Sequence, residues 1–200
     1  MMADGALLLR GFVGSAEAEL LAALDDIVAA APFRHMVTPG GYRMSVSMTN
    51  CGSAGWITDR TGYRYDACDP ETGRPWPALP PLFLDLARRA ADRGGFDGFS
   101  PDVCLINRYV PGARLSLHRD QDELDFAAPI VSVSLGLTAI FLFGGLKRSD
   151  KVRRFRLEHG DVVVWGGPAR LVHHGVAPLA AGEHFLLGAQ RLNLTFRKAR

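Results

Sequence analysis

The chain has 200 residues, of which 48% are hydrophobic, and its formal net charge is +2. This length suits one domain with a sizeable core, and no apolar run reaches the ~18 residues of a membrane-spanning helix. The first residues, MMADGALLLRGF, lack the basic start of a secretory signal, and the three cysteines form no C-x-x-C pair. We therefore expect a cytoplasmic protein with reduced thiols, and the net charge alone predicts no nucleic-acid partner.

Two helices are predicted in the first half of the chain. The first begins after Ser15, a good N-cap, carries Leu20 and Leu24 on its apolar stripe, and ends before Pro32. The second is amphipathic and covers about 80–93. We expect both helices to pack on one sheet.

The segment between these helices is predicted to form hairpins. A glycine-rich turn at 38–41 precedes an alternating strand over 42–50. A loop that carries Trp56 follows, and a second short strand contains Tyr63 and Tyr65.

From residue 102 onward the chain has the pattern of many short strands separated by Gly, Pro and Asp turns. Such a pattern predicts a sandwich or barrel, and a double-sheet jelly roll is one solution. No internal repeat or linker is present, so we expect one domain over residues 1–200. The predicted strands, including one before the first helix, are 7–12, 103–109, 130–137, 139–143, 153–157, 161–165, 171–176 and 187–196.

The segment LINRYVPGARLSLHRDQDE places His118 and Asp120 two residues apart after a β-like stretch. Side chains two apart on an extended chain point to the same side, so an imidazole and a carboxylate are presented together. His173 or His174, in an apolar run downstream, offers a second imidazole. Two histidines and one carboxylate form the facial triad of non-haem Fe(II) oxygenases, although an H-x-D pair alone is a weak motif.

The segment RLNLTFR near the end of the chain alternates without a break between polar and apolar residues. Its polar face carries Arg191, Asn193 and Arg197, which must meet either water or an anion. Asn107 and Tyr109 offer an amide and a phenol at the same period in another predicted strand. Because arginine binds carboxylates through two parallel hydrogen bonds, these groups together suit a small dicarboxylate beside a metal, whereas the alternative is a solvated basic face.

These segments, together with APIVSVSLG, FLFGGLKR, HGDVVVWGG and HHG in the same order, resemble the AlkB family of Fe(II)- and 2-oxoglutarate-dependent dioxygenases, which dealkylate nucleic-acid bases. The similarity covers nearly all of the chain except its first few tens of residues. It implies a mainly β (α+β) fold, with a jelly-roll core (a double-stranded β-helix) over about 102–197. It also implies two helices packed on one sheet and a hairpin lid, within about 31–80, that recognises the nucleotide.

The resemblance also implies a set of cofactors and the residues that hold them. His118, Asp120 and His174 match the Fe(II) ligands, with His174 preferred over His173 because the family's ligand directly precedes a glycine. The co-substrate is 2-oxoglutarate, and O₂ would take an open metal position. The implied 2-oxoglutarate contacts are Asn107, Tyr109, Arg191, Asn193 and Arg197.

The substrate that the resemblance implies is an alkylated base of the 1-methyladenine or 3-methylcytosine type, in single- or double-stranded DNA, with RNA as a further candidate. Trp56 would stack on the extruded base, and Asp122 would read an exocyclic amine and favour a cationic base. The products would be formaldehyde, succinate, CO₂ and the repaired base. Without the resemblance, a packed loop anchor is the better interpretation of Trp56. Further implied substrate contacts are Met48, Tyr63 and Arg148.

Several features leave alternatives open. Gln121 stands where close bacterial relatives tend to carry lysine, and His173 replaces a tyrosine, which affects phosphate contacts and the surroundings of the metal. Other interpretations are an oxygenase acting on a protein or small metabolite, a non-catalytic nucleic-acid reader, and a cupin-like metal binder. We expect a monomer. Solvated surface and phosphate contact are equally good interpretations of Arg34, Arg43, Arg60, Arg64, Arg114, Lys147 and Arg148.

Overall fold

A computed structural model describes residues 1–200 as thirteen strands, two α-helices and two short 3-10 turns. The helices are α1, Glu17–Ala30, and α2, Pro81–Arg93. The strands are β1 (Ala6–Leu9), β2 (Arg34–Val37), β3 (Arg43–Gly52), β4 (Gly55–Asp59), β5 (Gly62–Asp66), β6 (Val103–Tyr109), β7 (Leu115–His118), β8 (Ile130–Gly136), β9 (Ala139–Phe143), β10 (Arg153–Leu157), β11 (Val162–Trp165), β12 (His174–Val176) and β13 (Arg191–Arg197).

The strands form two main antiparallel sheets and a separate hairpin. The larger sheet has the order β1-β11-β8-β13-β6-β3-β2, and the smaller one has the order β10-β9-β12-β7. The hairpin consists of β4 and β5. This architecture confirms the predicted mainly β fold of the double-stranded β-helix type.

Two apolar cores hold the layers together, and strand β13 separates them. Its Leu192, Leu194 and Phe196 pack with residues of both helices on the outer face of the larger sheet. The polar side chains of β13 point to the opposite face, because successive residues of a strand alternate. That face meets the smaller sheet across an inner core that includes Phe141 and Trp165. The polar residues of β13 therefore lie between the two sheets.

The structure differs from the predicted boundaries where local turns interrupt the apolar pattern. The predicted strand 171–176 is reduced to His174–Val176, because a 3-10 turn at Gly167–Ala169 extends through a bond from the Val172 N–H to the Ala169 carbonyl. Strand β13 begins at Arg191, because residues 184–188 form a turn. Strand β2 was not predicted.

The first helix also begins later than predicted. Ser15 lies in a 3-10 turn, Gly14–Ala16, and no side chain caps α1, which starts at Glu17. The second helix matches its predicted range to within one residue. No helix combines the length and the apolar character needed to cross a membrane.

Trp56 lies in a strand and not in the predicted loop. The turn between β4 and β5 is closed by the carboxylate of Asp59, which accepts a hydrogen bond of 2.7 Å from the backbone N–H of Thr61. Gly62, with φ +137°, completes the turn. This tight turn fixes Trp56 opposite Tyr65 in the register of the hairpin.

Candidate active site

The pairing of β7 with β12 brings His118 and His174 directly opposite each other. Asp120 follows β7 by two residues. The nearest carboxylate oxygen of Asp120 lies 3.5 Å from Nε2 of His118 and 3.8 Å from Nε2 of His174. The ligand atoms of the three residues all lie within 4.8 Å of one another, so they could hold one metal ion.

The backbone fixes which nitrogen of each histidine faces the cluster. Nδ1 of His118 lies 2.9 Å from the Ser116 carbonyl, and Nδ1 of His174 lies 3.0 Å from the Val172 carbonyl. A carbonyl only accepts hydrogen bonds, so Nδ1 carries the proton in both rings. The lone pair of each Nε2 is therefore free to coordinate a metal.

Gly175, directly after His174, allows β12 to approach β7 closely. A Cβ atom at this position would lie 2.6 Å from the Leu115 carbonyl oxygen, which is closer than such atoms approach. The glycine therefore sets the distance between the two strands that carry the histidines. This is a physical reason for a glycine after the histidine.

His173 is not part of the cluster. Its Nδ1 lies 3.2 Å from the carbonyl of Gly145, and its own backbone N–H donates to the same carbonyl at 2.9 Å. The structure therefore places His174 with His118 and Asp120, and it ties His173 to the loop after β9.

Burial and neighbouring charges set the protonation of the cluster. Burial, with a smaller contribution from His118, lowers the pKa of His174 to about 4. Burial also disfavours ionised Asp120, but the attraction of Arg197 and of the two histidines outweighs this effect and holds the pKa of that carboxyl below its usual range. At neutral pH the cluster therefore offers neutral His174 and an ionised carboxylate, which are the forms that bind metals.

Arg197 contacts the second oxygen of Asp120. Its Nε and Nη2 lie 2.8 and 2.6 Å from this oxygen, and its Nε lies 3.4 Å from the carboxylate of Glu123. Its Nη1 is buried and has no hydrogen-bond partner. Arg197, predicted to bind 2-oxoglutarate, therefore orients Asp120 and keeps only one nitrogen for an anion.

Arg191 is a buried arginine without an ionic partner. It is 1% exposed, and only its Nη2 is bonded, to the hydroxyl of Ser134 at 2.8 Å. Nε and Nη1 have no partner, and the guanidinium lies 5.0 Å from the centroid of the Tyr109 ring. Burial lowers the pKa of Arg191, as expected for a cation without a counter-ion. A buried arginine of this kind calls for an anion, and a dicarboxylate co-substrate fits it.

The two predicted asparagines have different roles. Nδ2 of Asn193 donates to the Ser132 hydroxyl at 2.8 Å and to the Val133 carbonyl at 2.9 Å, and its oxygen accepts from Thr195 and Asn107. Asn193 is thus fully bonded inside the protein. The side-chain oxygen of Asn107 is buried without a partner. This oxygen can only accept a hydrogen bond, so Asn107 could reach an ionised carboxylate only through the second N–H of its amide, and Asn193 holds Asn107 in place.

A single cavity of about 1060 Å³ joins these groups. Every predicted site residue lines it except Arg191, which lies behind its wall against Tyr109. Trp165, predicted only as core, also lines the cavity and packs edge-on against His174 with ring centroids 5.0 Å apart. Met48, which is 1% exposed, forms part of the wall.

The hairpin β4–β5 places aromatic residues at the cavity. Trp56 stacks on Tyr63, with ring centroids 5.7 Å apart, and its indole N–H donates to the Asp122 carboxylate at 2.8 Å. The two side chains predicted to contact a base thus contact each other. Arg148 donates to the Leu117 carbonyl at 2.7 Å.

A buried network around Glu123 was missed by the sequence analysis. Its carboxylate accepts from Arg170 at 3.1 Å and from the hydroxyl of Tyr65 at 2.6 Å. Burial raises the pKa of Tyr65, so this hydroxyl stays protonated and donates. Arg170 also donates to the backbone carbonyl of Asp120 at 2.9 Å. The sequence offered two signals for this network: an acid three residues after Asp120 and an arginine four residues before His174.

Comparisons with known proteins agree with this geometry. The sequence model of the 2OG-Fe(II) oxygenase superfamily matches residues 5–197. The alpha-ketoglutarate-dependent dioxygenase AlkB of Escherichia coli K12 is 59% identical over 198 residues, which cover 99% of this chain and 92% of the relative. The DNA N(6)-methyladenine demethylase ALKBH1C of Arabidopsis thaliana is 34% identical over 187 residues, 79% of this chain and 41% of the relative. The solved structure of OsALKBH1 has a TM-score of 0.84 and 28% identity, covering 97% of this chain and 96% of that one.

Two histidines and one carboxylate between the sheets of a double-stranded β-helix define the class of non-haem Fe(II) oxygenases. Within that class, the chain belongs to the AlkB family of the 2OG-Fe(II) oxygenase superfamily. Its cofactor is Fe(II), and its co-substrates are 2-oxoglutarate and O₂.

We expect Arg191→Met to weaken 2-oxoglutarate binding strongly while leaving the protein folded. Loss of a buried charge pair costs about 2–5 kcal/mol, which is roughly 30-fold to several thousand-fold in Kd. Thermal stability without ligand should stay equal or rise, because the variant removes a buried unpaired charge. Anaerobic calorimetric titration of 2-oxoglutarate into the Mn(II)-loaded protein measures the Kd, and an unchanged value would show that Arg191 does not bind the co-substrate.

Proposed function

We propose that the protein oxidatively removes alkyl groups from N-alkylated bases of the 1-methyladenine and 3-methylcytosine type in DNA, with RNA as a further substrate. The reaction releases formaldehyde, succinate and CO₂. The observation that carries this proposal is the pair of Trp56 and Asp122, which are bonded to each other at the cavity that contains the metal cluster. The similarity to the Arabidopsis DNA N(6)-methyladenine demethylase ALKBH1C supports a nucleic-acid substrate.

In this proposal His118, Asp120 and His174 hold the Fe(II). The bound metal, with 2-oxoglutarate and O₂, supplies the oxidation of the alkyl carbon. Arg197 keeps the Asp120 carboxylate ionised and turned toward the histidines. The protein contributes the position of each ligand: Asp120 and His174 are buried, whereas His118 is partly exposed at the cavity.

The co-substrate would be held next to β6 and β13. Arg191 would pair with one of its carboxylates, and the free Nη1 of Arg197 could meet the other. The Tyr109 phenol and the second N–H of the Asn107 amide would donate hydrogen bonds, and Asn193 holds Asn107 in place. Burial raises the pKa of Tyr109, so its phenol stays a neutral donor. These assignments would give partners to the buried guanidinium nitrogens of Arg191 and Arg197 that the protein alone leaves unpaired.

The target base leaves its stack and enters beside the hairpin β4–β5, within a recognition lid over about 31–80. The Trp56 ring offers a stacking surface, which typically contributes about 1–3 kcal/mol per base. Tyr63 supports this ring from behind, and Met48 forms the apolar wall. The Asp122 carboxylate attracts a base that carries a positive charge after methylation. Intact bases are neutral, so the site favours the lesion.

We also predict that residues 1–200 form a single domain and that the protein is a monomer in the cytoplasm. The three cysteines are free thiols, which is compatible with a reducing compartment. Cys51 and Cys104 are opposite each other on β3 and β6, although they are far apart in sequence.

The test is a demethylation assay on an oligonucleotide that contains 1-methyladenine, with Fe(II) and 2-oxoglutarate loaded anaerobically before air is admitted. We expect formaldehyde release and loss of the mass of one CH₂ group per repaired base. Trp56→Ala should lower kcat/KM by about 5- to 150-fold, which corresponds to about 1–3 kcal/mol of stacking. Phe185→Ala, which changes an exposed aromatic residue that does not line the cavity, is the matched control.

The outcomes of this assay separate the alternatives. Succinate formation with an oligonucleotide of unchanged mass would retain the oxygenase and exclude the base as substrate, which would point to a protein or small metabolite. No succinate with any substrate would contradict the enzymatic assignment to this chain.

A further inference from the structure

The loop between β9 and β10, together with β10 and the residue after it, carries much of the positive charge of the chain. Residues 147–158 contain six lysines and arginines against two acids, a local net charge of +4, whereas the whole chain has +2. We define the cationic loop as Lys147 and Lys151, which are both exposed. Neither forms an ion pair, whereas Arg156 pairs with Glu158 at 3.0 Å. Unpaired charges of the same sign on one loop repel each other, and a polyanionic partner would neutralise them.

The register of the smaller sheet places this loop at the level of the metal cluster. A single row crosses the four strands from Arg153 through Phe143 and His174 to His118. Strands lie about 4.8 Å apart, so β10 is roughly 14 Å from the His118 strand. The loop leaves β9 at Phe143 and therefore starts from this row. Leu146, inside the same loop, lines the cavity.

Backbone contacts hold the loop in shape and attach it to the strand of the third metal ligand. The N–H of Gly144 donates to the His173 carbonyl at 2.8 Å, and the N–H of His173 donates to the Gly145 carbonyl at 2.9 Å. Asp150 accepts from the backbone N–H of Lys147 at 2.9 Å. A Cβ at Gly145 would lie 2.3 Å from that carboxylate. The only acid of the loop thus stabilises its backbone and leaves the lysine ammonium groups without a counter-ion.

Two basic residues of the lid, Arg34 and Arg64, are already paired, whereas Arg43 and Arg60 are exposed and form no ion pair. Arg34 forms an ion pair with Asp69, and Arg64 pairs with Asp59 at 2.8 Å. These arginines stabilise the lid itself and offer less charge to a ligand. The cationic loop is a surface of unpaired charge beside the cavity, so it differs from them in both position and availability.

We propose that the cationic loop binds phosphates of the nucleic-acid strand that carries the target base, a few nucleotides from that base. The proposal rests on the proposed function. Phosphates follow each other every ~3.4 Å along one B-form strand, so roughly 14 Å corresponds to about four phosphates, and to fewer along an extended strand. The loop therefore fixes how the strand runs away from the cavity, and it makes no base contact.

The experiment compares three proteins: wild type, a double variant with Lys147→Gln and Lys151→Gln, and a matched control with Arg88→Gln and Arg93→Gln. The control removes two exposed charges from α2, which packs on the outer face of the larger sheet. The probe for binding is an unmodified single-stranded oligonucleotide titrated at several salt concentrations. The probes for turnover are a 1-methyladenine trinucleotide and the same lesion in a longer oligonucleotide that can reach the loop.

We expect the loop variant to reduce the slope of log affinity against log salt by about 0.7 for each phosphate contact that is lost. Its ratio of kcat/KM for the long substrate to kcat/KM for the trinucleotide should fall, and the control should match wild type in both measurements. A salt slope and a substrate ratio equal to those of wild type would overturn the proposal. If wild type demethylates neither substrate, the proposed function fails, whereas the binding titration still decides whether the loop binds phosphates.

Discussion

His174→Ala should abolish both metal binding and turnover, whereas His173→Ala should retain both. His174 presents a free Nε2 to Asp120 and His118, and no nearby side chain replaces it. Loss of a residue that merely orients a metal ligand typically costs about 10- to 100-fold in metal affinity, so loss of the ligand itself should cost more. Metal content after equilibrium dialysis against Fe(II) or Co(II) measures the first effect, and succinate formation measures the second.

His173→Ala is the matched control because it changes the adjacent residue and removes only the contact of the ring with the Gly145 carbonyl. Its backbone bonds to the loop are unchanged. If His173→Ala lost the metal and His174→Ala retained it, the assignment of the third ligand would be wrong.

Arg170→Met should destabilise the protein by about 3–5 kcal/mol, because it removes one partner of a buried ion pair and leaves Glu123 and the Asp120 carbonyl unsatisfied. For a chain of this length, that loss corresponds to a fall of about 6–20 °C in Tm. Thermal unfolding followed by circular dichroism measures it.

The companion variant carries Arg170→Met together with Glu123→Gln. Removing the charge of Glu123 should restore part of the lost stability, because no unpaired buried carboxylate remains. The recovery should be partial, since Tyr65 and Arg197 also contact Glu123. Equal stability of Arg170→Met and wild type would show that the network does not stabilise the fold.

Local periodicity was enough to predict much of the fold. The alternation in RLNLTFR assigned each side chain of β13 to the correct face, and the inward face is the one that holds Arg191 and Arg197. The spacing of His118 and Asp120 predicted a shared side, which the structure shows. These features depend on neighbours in the chain, and the period of a strand encodes them directly.

Features that depend on distant residues were not predictable in this way. The contact of Arg197 with Asp120 joins residues 77 positions apart, and the contact of Arg170 with Glu123 joins residues 47 apart. Such contacts require the register of strands that meet only after folding. The two-residue period of a strand also does not distinguish His173 from His174 as the metal ligand. Only the pairing of β12 with β7 places His174, and not His173, opposite His118.

The hydrogen bond between Trp56 and Asp122 would couple the two base contacts that we propose. The indole N–H occupies one carboxylate oxygen and leaves the other available, so the ring proposed to meet the face of a base is tied to the acid proposed to meet its edge. A base that tilted on the ring would shift the acid as well, and the site could not optimise stacking and edge contacts separately. A base that fits one contact poorly would therefore weaken the other contact too.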